Sequence, residues 1–368
     1  MNVGITAHLD RNNFGEGLKQ ASINLYDCIA ASGHNVFYIC SSANIIDFNK
    51  THLGYDLGAA LECGAPELDV LIFHGFIPDR EYVQLILRKS PFCKFVVFHQ
   101  GNRIAMDSAC LSNGSGFAGG VHYADEIWVP PHHKNSEHYL KEIHKAECQV
   151  ELAPFLWSPF FLDEAVKKTK YRSIRFNKKE KNGAVILEPN ANYSKNCIVP
   201  LMICDNLNSS NKELLESVSV TNTEKIKEAP FFKEFLTGLS VQKENKLFLS
   251  KKWSLPDVLS KWGKYVISHT KDNDLNFLHL ECFYLGVPII HNSKTFAECG
   301  YYYESYDVPS GAKQLKKALK EHPNDLVSYL EKGRKLISKF SPANPVNIEI
   351  VNERLEKILK KNSRKPVD

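Results

Sequence analysis

The sequence predicts an α/β protein of two doubly wound halves, and three observations carry that prediction. Apolar runs of strand length recur along both halves of the chain, with helical periodicity between several of them. The length, 368 residues, exceeds what one hydrophobic core ordinarily organises. The stretch 265–293, YVISHTKDNDLNFLHLECFYLGVPIIHNS, has the order strand, polar loop, helix, strand. Two such halves of similar size imply a central cleft.

In the first half the predicted strands are 3–6, 36–40, 70–73, 95–98 and 127–129, with helical patterns at 18–32 and 80–90. Residues 151–182 hold Pro154 and Pro159, show no sustained period, and are expected to be a crossover. Alternation then restarts, with strands at 184–187, 218–221, 247–249, 265–268 and 288–290. Helices are expected at 198–206, 231–239, 256–262, 275–285, 313–321 and 326–340. A last helix, about 346–361, follows Pro342 and Pro345. The resulting division is 1–160 for the first Rossmann-like domain, 161–182 for a basic linker and 183–345 for the second. Residues 346–368 form a C-terminal helix expected to pack back on the first domain.

With 43% apolar and 24% charged residues, the composition is that of a soluble globular protein, and no apolar run approaches the roughly 20 residues of a membrane span. The N-terminus, MNVGITAHLD, enters a strand directly and lacks a signal-peptide pattern. Ten scattered cysteines without paired spacing point to a reducing, cytoplasmic compartment. The net charge is +4, yet KKTKYRSIRFNKKEK (167–181) concentrates eight basic residues with two aromatics. That run fits either a solvated linker or contact with a polyanion such as DNA.

Candidate chemistry lies at predicted strand ends. In HLDRNNFGEGLKQ, Gly15 and Gly17 precede a helix, where bare backbone N–H groups approach an anion closely. A dinucleotide fingerprint needs a further glycine at Gln20, which counts against a dehydrogenase. His74 (LIFHGF) and His99 (VVFHQGNR) follow apolar runs, so both belong at the carboxyl edge of the first sheet, where a neutral imidazole can bond a hydroxyl or act as a base. Arg103 stands close behind, and Asp10 and Asp107 are the nearest carboxylates. In ILEPNANYSKN, Lys195 comes just before a helix, where its ammonium can add to the helix-start field at a diphosphate. Within the 265–293 stretch, Asn273, Asn276 and Phe277 lie at the helix start, a phosphate-binding position. Glu281, about two turns further in, can accept from sugar hydroxyls. The group His132, His133, His138 and His144 lacks a companion at metal-ligand spacing and is expected on the surface.

Together these pieces resemble the GT-B glycosyltransferases, which have two Rossmann-like domains facing a central cleft, a nucleotide-sugar held mainly by the second and an acceptor mainly by the first. The stretch around Glu281 resembles the E-x7-E region of retaining enzymes, with Glu281 at the second position, which bonds the ribose. The first position falls on Asn273 and is not acidic, so the donor-sugar contact and the stereochemistry stay open. By the same similarity Gly15 and Gly17 match the diphosphate loop, Lys195 the phosphate-binding base, and His99 a histidine near the donor hexose. IWVPPHH, APFLWSPFFL, EPNANYSKNCIVPL, SHTKDNDLNFLHLECFYLGVPIIHNS and GYYYESYDVPSGAKQL, in that order, are similar to a bacterial and phage GT-B-like family of unknown function. The resemblance implies transfer of a hexosyl or pentosyl group from a UDP-sugar to a hydroxyl acceptor, with a surface glycan as the family-level expectation; the basic run at 167–181 also allows a hydroxymethylated base in DNA. Catalysis would fall to His99, Asp10 or His74, and acceptor binding to Arg103 and Asp107. Asp272-Asn273-Asp274 spells the D-x-D that holds a divalent metal in another class of sugar transferases. Here it precedes a helix, where Asp is a good cap, and no metal or other cofactor is expected. A non-catalytic sugar-nucleotide-binding protein and a sugar-nucleotide epimerase are the alternatives.

Overall fold

Two all-parallel sheets organise the chain in a computed structural model, which describes residues 1–8, 17–40, 54–56, 66–115, 119–145, 147–170 and 182–361. The chain divides into a first unit, residues 1–158 with 339–368, and a second, residues 159–338.

The first unit runs β1 (Asn2–Ala7), α1 (Gly17–Ala31), β2 (Asn35–Cys40), β3 (Gly54–Asp56), β4 (Val70–Phe73), α2 (Arg80–Lys89), β5 (Lys94–Phe98), α3 (Arg103–Asn113) and β6 (Glu126–Val129). A 3-10 turn (Pro131–Ser136), α4 (Glu137–His144) and β7 (Val150–Leu152) follow. Its strand order is β3-β2-β1-β4-β5-β6-β7, so successive connections change direction between β1 and β4. Strands β1, β4 and β5 are buried on both faces: Val3, Ile5, Val70, Leu71, Ile72, Phe95 and Val96 are all fully enclosed. That explains why they read as continuous apolar runs rather than alternating ones.

The second unit holds α5 (Phe160–Lys168), β8 (Gly183–Ile186), α6 (Ile198–Ser210), β9 (Ser217–Val220), α7 (Pro230–Gly238), α8 (Ser240–Lys243), β10 (Leu247–Leu249), α9 (Leu255–Lys261) and β11 (Tyr265–Ile267). It continues through α10 (Phe277–Leu285), β12 (Ile289–His291), β13 (Tyr301–Tyr302) and α11 (Val308–Ile337). The order β10-β9-β8-β11-β12-β13 puts its switch point between β8 and β11, where the chain first moves to the other side of β8. In such sheets the crevice beyond the strand ends at the switch point is where ligands bind.

Helix α12 (Pro345–Leu359) belongs to the first unit and packs on α1. It buries Val351, Leu355 and Ile358, and Asn344 caps it by accepting the Val346 N–H at 2.9 Å. His34 and Asn352 bond at 2.8 Å, and Arg354 pairs with Glu151. The Lys361 ammonium reaches buried Glu126 at 2.6 Å.

Several expectations need correction. The stretch 151–182 is irregular over 153–159 but not beyond, because α5, part of the second unit, is a regular helix that buries Phe161, Leu162 and Ala165; residues 171–181 lie outside the described ones. The helices expected at 313–321 and 326–340 are one helix, α11, which runs through Pro323. A proline removes one helical N–H donor, but its neighbour His322 is fully buried, with Nδ1 3.1 Å from Tyr301 Oη and Nε2 donating to Gly286 O at 3.1 Å. Those bonds anchor the helix where the proline weakens it. Helix α10 starts at Phe277 rather than 275, because the Asn276 side chain accepts the Leu278 N–H at 3.2 Å and sets the cap.

Candidate functional site

At the switch point of the second unit, the connections leaving β8 and β11 are tied together by a buried carboxylate. Glu188 follows β8, and its Oε1 accepts Ser268 Oγ–H at 2.6 Å and the His269 N–H at 3.2 Å. Burial raises the Glu188 pKa, while Ser268, the charge of Lys195 and the His269 N–H pull it back. Asn190 and Asn222, both in the left-handed region at φ 52° and 57°, brace the neighbouring β8 and β9 ends. Asn222 Nδ2 donates to Leu187 O and Glu188 O at 3.2 and 3.1 Å, and Asn190 Oδ1 accepts the Cys197 N–H at the start of α6 at 2.8 Å. Asn tolerates this backbone better than other side chains.

Lys195 sits on the loop between β8 and α6, half-buried, in a backbone bridge to Asn192. The same loop grips the one after β11: Lys271 N–H donates to Ser194 O at 2.8 Å, and Ser194 Oγ donates to Lys271 O. Burial lowers the Lys195 pKa and the charge of Glu188 opposes this. No carboxylate among the described residues forms an ion pair with its ammonium, which is close enough to help depress His279 after burial and His291.

Helix α10 leaves β11 by way of this loop. Its first turn buries His279, whose Nε2 lies 3.2 Å from Ser268 Oγ. Since that hydroxyl donates to Glu188, His279 donates Nε2–H to it. Glu281, one turn from the helix start, is half-buried and makes no hydrogen bond or ion pair with any described residue. Burial pushes its pKa up to about 7. Beside it in sequence, Cys282 and Phe283 are fully buried. His269, at the end of β11, donates Nδ1–H to Tyr303 Oη at 2.9 Å, since that hydroxyl donates onward to Ser268 O. Its Nε2 is buried without a partner among the described residues, and its ring lies 4.8 Å from that of exposed Tyr306.

The D-x-D acids are engaged by the protein. Asp274 accepts the N–H groups of Lys294 and Thr295, each at 2.8 Å, and the Thr295 hydroxyl. Asp272, at φ 53°, pairs with Lys271 at 3.0 Å. Asn273 stands between them, half-exposed. Among the described residues no group of three His, Cys, Asp or Glu is placed to hold a metal ion.

In the first unit Asp10 and Gly15 fall outside the described residues, and Gly17 opens α1 in an exposed position. His74 is buried between helix and sheet. Ser22 Oγ donates to Leu18 O at 3.1 Å, so His74 Nδ1–H donates to Ser22 Oγ at 2.8 Å. Burial pushes its pKa down to about 4, against the opposing influence of Gln100. Arg103 and Asp107, expected to hold an acceptor, hold each other: Arg103 Nε bonds both carboxylate oxygens at 2.8 Å, and Tyr139 Oη adds a third bond at 2.7 Å. His99 and His144 face each other with Nε2 atoms 2.7 Å apart. The four-histidine group is therefore only partly at the surface. His133 and His144 are buried, and His138 is exposed.

The sheet orders and the comparison with solved structures define one class of fold. The chain superposes on a glycosyltransferase from Rickettsia africae ESF-5 with a TM-score of 0.59 at 12% identity, covering 98% of this chain and 99% of that one. An E. coli trehalose-6-phosphate structure bound with UDP-2-fluoro glucose gives 0.59 at 9% identity, over 99% and 100%. Anabaena Alr3699/HepE in complex with UDP-glucose gives 0.52 at 8% identity, over 97% and 100%. The fold is GT-B, as the sequence resemblance implied. No curated protein matches the sequence. The chain belongs to the family DUF2827, described as a protein of unknown function, which it matches over residues 3–355.

Proposed function

We propose that the protein is a metal-independent glycosyltransferase that moves a sugar from a UDP-sugar to a hydroxyl acceptor, with a surface glycan as the acceptor class. One observation carries this reading. On the two segments that leave the switch point of the second sheet, the fold keeps an ammonium, Lys195, and a carboxylate, Glu281, without ion-pair partners among the described residues. Those are the charges a nucleoside diphosphate needs, one for phosphate oxygens and one for ribose hydroxyls. Two structures of the same fold hold UDP-2-fluoro glucose and UDP-glucose, which supports the choice of donor.

In the reaction the bond between the sugar and the diphosphate oxygen breaks, one forms to the acceptor oxygen, and the proton of the acceptor hydroxyl passes to the departing phosphate. Negative charge grows on the departing UDP. Lys195 and the start of α10 answer it, a kind of stabilisation worth about 3–4 kcal/mol per well-placed donor. Glu281 accepts from the ribose and fixes the nucleoside. Because Asp272 and Asp274 are engaged by Lys271 and by the 294–295 segment, the D-x-D serves the loop, which favours chemistry without a metal.

Mass spectrometry of products from a UDP-sugar panel with candidate acceptors tests the reading. Lys195→Ala is expected to lower kcat by about a hundredfold, more than it raises the donor KM, since it acts on the departing phosphate. Binding of UDP with neither hydrolysis nor transfer from any donor would replace the proposal with a non-catalytic binding protein. Interconversion of donors without acceptor would replace it with an epimerase.

A further inference from the structure

The carboxyl edge of the first sheet holds a hydrogen-bond chain whose proton positions follow from one unambiguous donor. Gly120 brings the backbone hard against the last turn of α4. A Cβ there would stand 2.1 Å from Ile143 O and 2.8 Å from His144 Cα, so only glycine permits the approach. The approach delivers the Val121 N–H to His144 Nδ1 at 2.9 Å. A backbone N–H can only donate. His144 Nδ1 therefore carries a lone pair, and the neutral ring holds its proton on Nε2.

That proton has one destination. His144 Nε2 lies 2.7 Å from His99 Nε2, so His99 accepts there and must carry its own proton on Nδ1. Burial keeps both rings neutral: it holds His144 down to about 4 and His99 well below the usual histidine range, where His144 and Arg103 depress it further. His99 Nδ1 has no partner among the described residues and is not sealed from solvent.

We propose that His144 is a positioning residue that locks His99 in its Nδ1–H form, so that His99 donates a hydrogen bond to an oxygen of the bound substrate and does not act as a general base. A base needs a lone pair, and the one on His99 faces the Nε2–H of His144. A proton arriving there would meet another head-on. The substrate oxygen in this statement rests on the glycosyltransferase reading; the lock itself does not.

Long-range 1H–15N correlation spectra of the full-length protein at pH 7.5, assigned with His99→Gln and His144→Gln, test the lock directly. Wild type is expected to show His99 protonated on Nδ1 and His144 on Nε2. In His144→Phe, and separately in Gly120→Ala, which pushes Val121 away, the His99 signals are expected to move toward a mixture of tautomers. Transfer turnover in both variants is expected to fall about tenfold, with the donor KM changed less than about threefold, the pattern of a contact stronger in the transition state. His99 protonated on Nε2 in wild type overturns the proposal, and so does a His99 signal unmoved in both variants. Should a variant fail to fold, the wild-type spectrum decides alone. A wild-type spectrum as expected without transfer from any donor would sink the glycosyltransferase reading and leave the lock standing.

Discussion

A carboxylate that is half-buried without a hydrogen bond, as Glu281 is, destabilises the protein that holds it whenever it is ionised. Its folded pKa of about 7 lies above the ordinary 4.5, so the folded state binds the proton more tightly across that window. The Glu281 contribution to stability therefore falls as pH rises from about 4.5 to 7 and is least favourable above it. Glu281→Gln is expected to stabilise the ligand-free protein by about 2 kcal/mol at pH 8 and hardly at all at pH 4. On the proposed function, the same change should weaken UDP binding about tenfold or more, since the charged group assigned to the ribose is lost. Thermal melts at the two pH values, with and without UDP, read both effects; a variant less stable at pH 8 would make Glu281 a structural residue. Glu281 and Lys195 were legible in the sequence because each stands out locally, an acid among apolar helix residues and a base ahead of a helix. Glu188 was not, since its partner Ser268 lies 80 positions away. His144 and His99 are 45 apart, and no local pattern announces that they meet.

At the scale of elements, caps and close approaches settle what periodicity leaves open. Gly286 ends α10 at φ +71°, and a Cβ on it would stand 2.9 Å from Leu326 and 3.0 Å from Leu330 on α11. Only glycine takes that backbone without strain. Gly286→Ala is expected to cost about 1–3 kcal/mol from the left-handed backbone and the crowding together, measured by urea denaturation. An unchanged midpoint would mean that α11 can move aside freely. The helix around Glu281 was predicted within two residues of its observed start because Gly-Val-Pro closes it and apolar residues fill it. Strand β13, at two residues, and strand β7, at three, are too short for an alternating pattern to register. The expected break between two helices at 321–326 is absent because the buried bonds of His322 hold the helix together beside Pro323.

For the whole molecule, the two alternating α/β series were legible, and the place where the chain changes units was less so. The first unit ends at Ser158 and resumes at Lys339, so its C-terminal helix comes from the far end of the sequence. Deleting residues 345–361 strips Val351, Leu355 and Ile358 from their contacts, which should remove about 5 kcal/mol from the first unit. Calorimetry is expected to show that loss in one transition only. On the proposed function, UDP at a hundred times its Kd should raise the other by about 2.7 kcal/mol. A single transition shifted as a whole by either change would argue against separate responses. Where the chain departs and returns, the Trp157 N–H donates to Phe340 O at 2.8 Å. Topologically the second unit is thus an insert whose two attachment points are latched side by side within its host. A spliced polypeptide joining Ser158 to Lys339 through a short glycine joint should accordingly fold as a free-standing seven-stranded sheet protein.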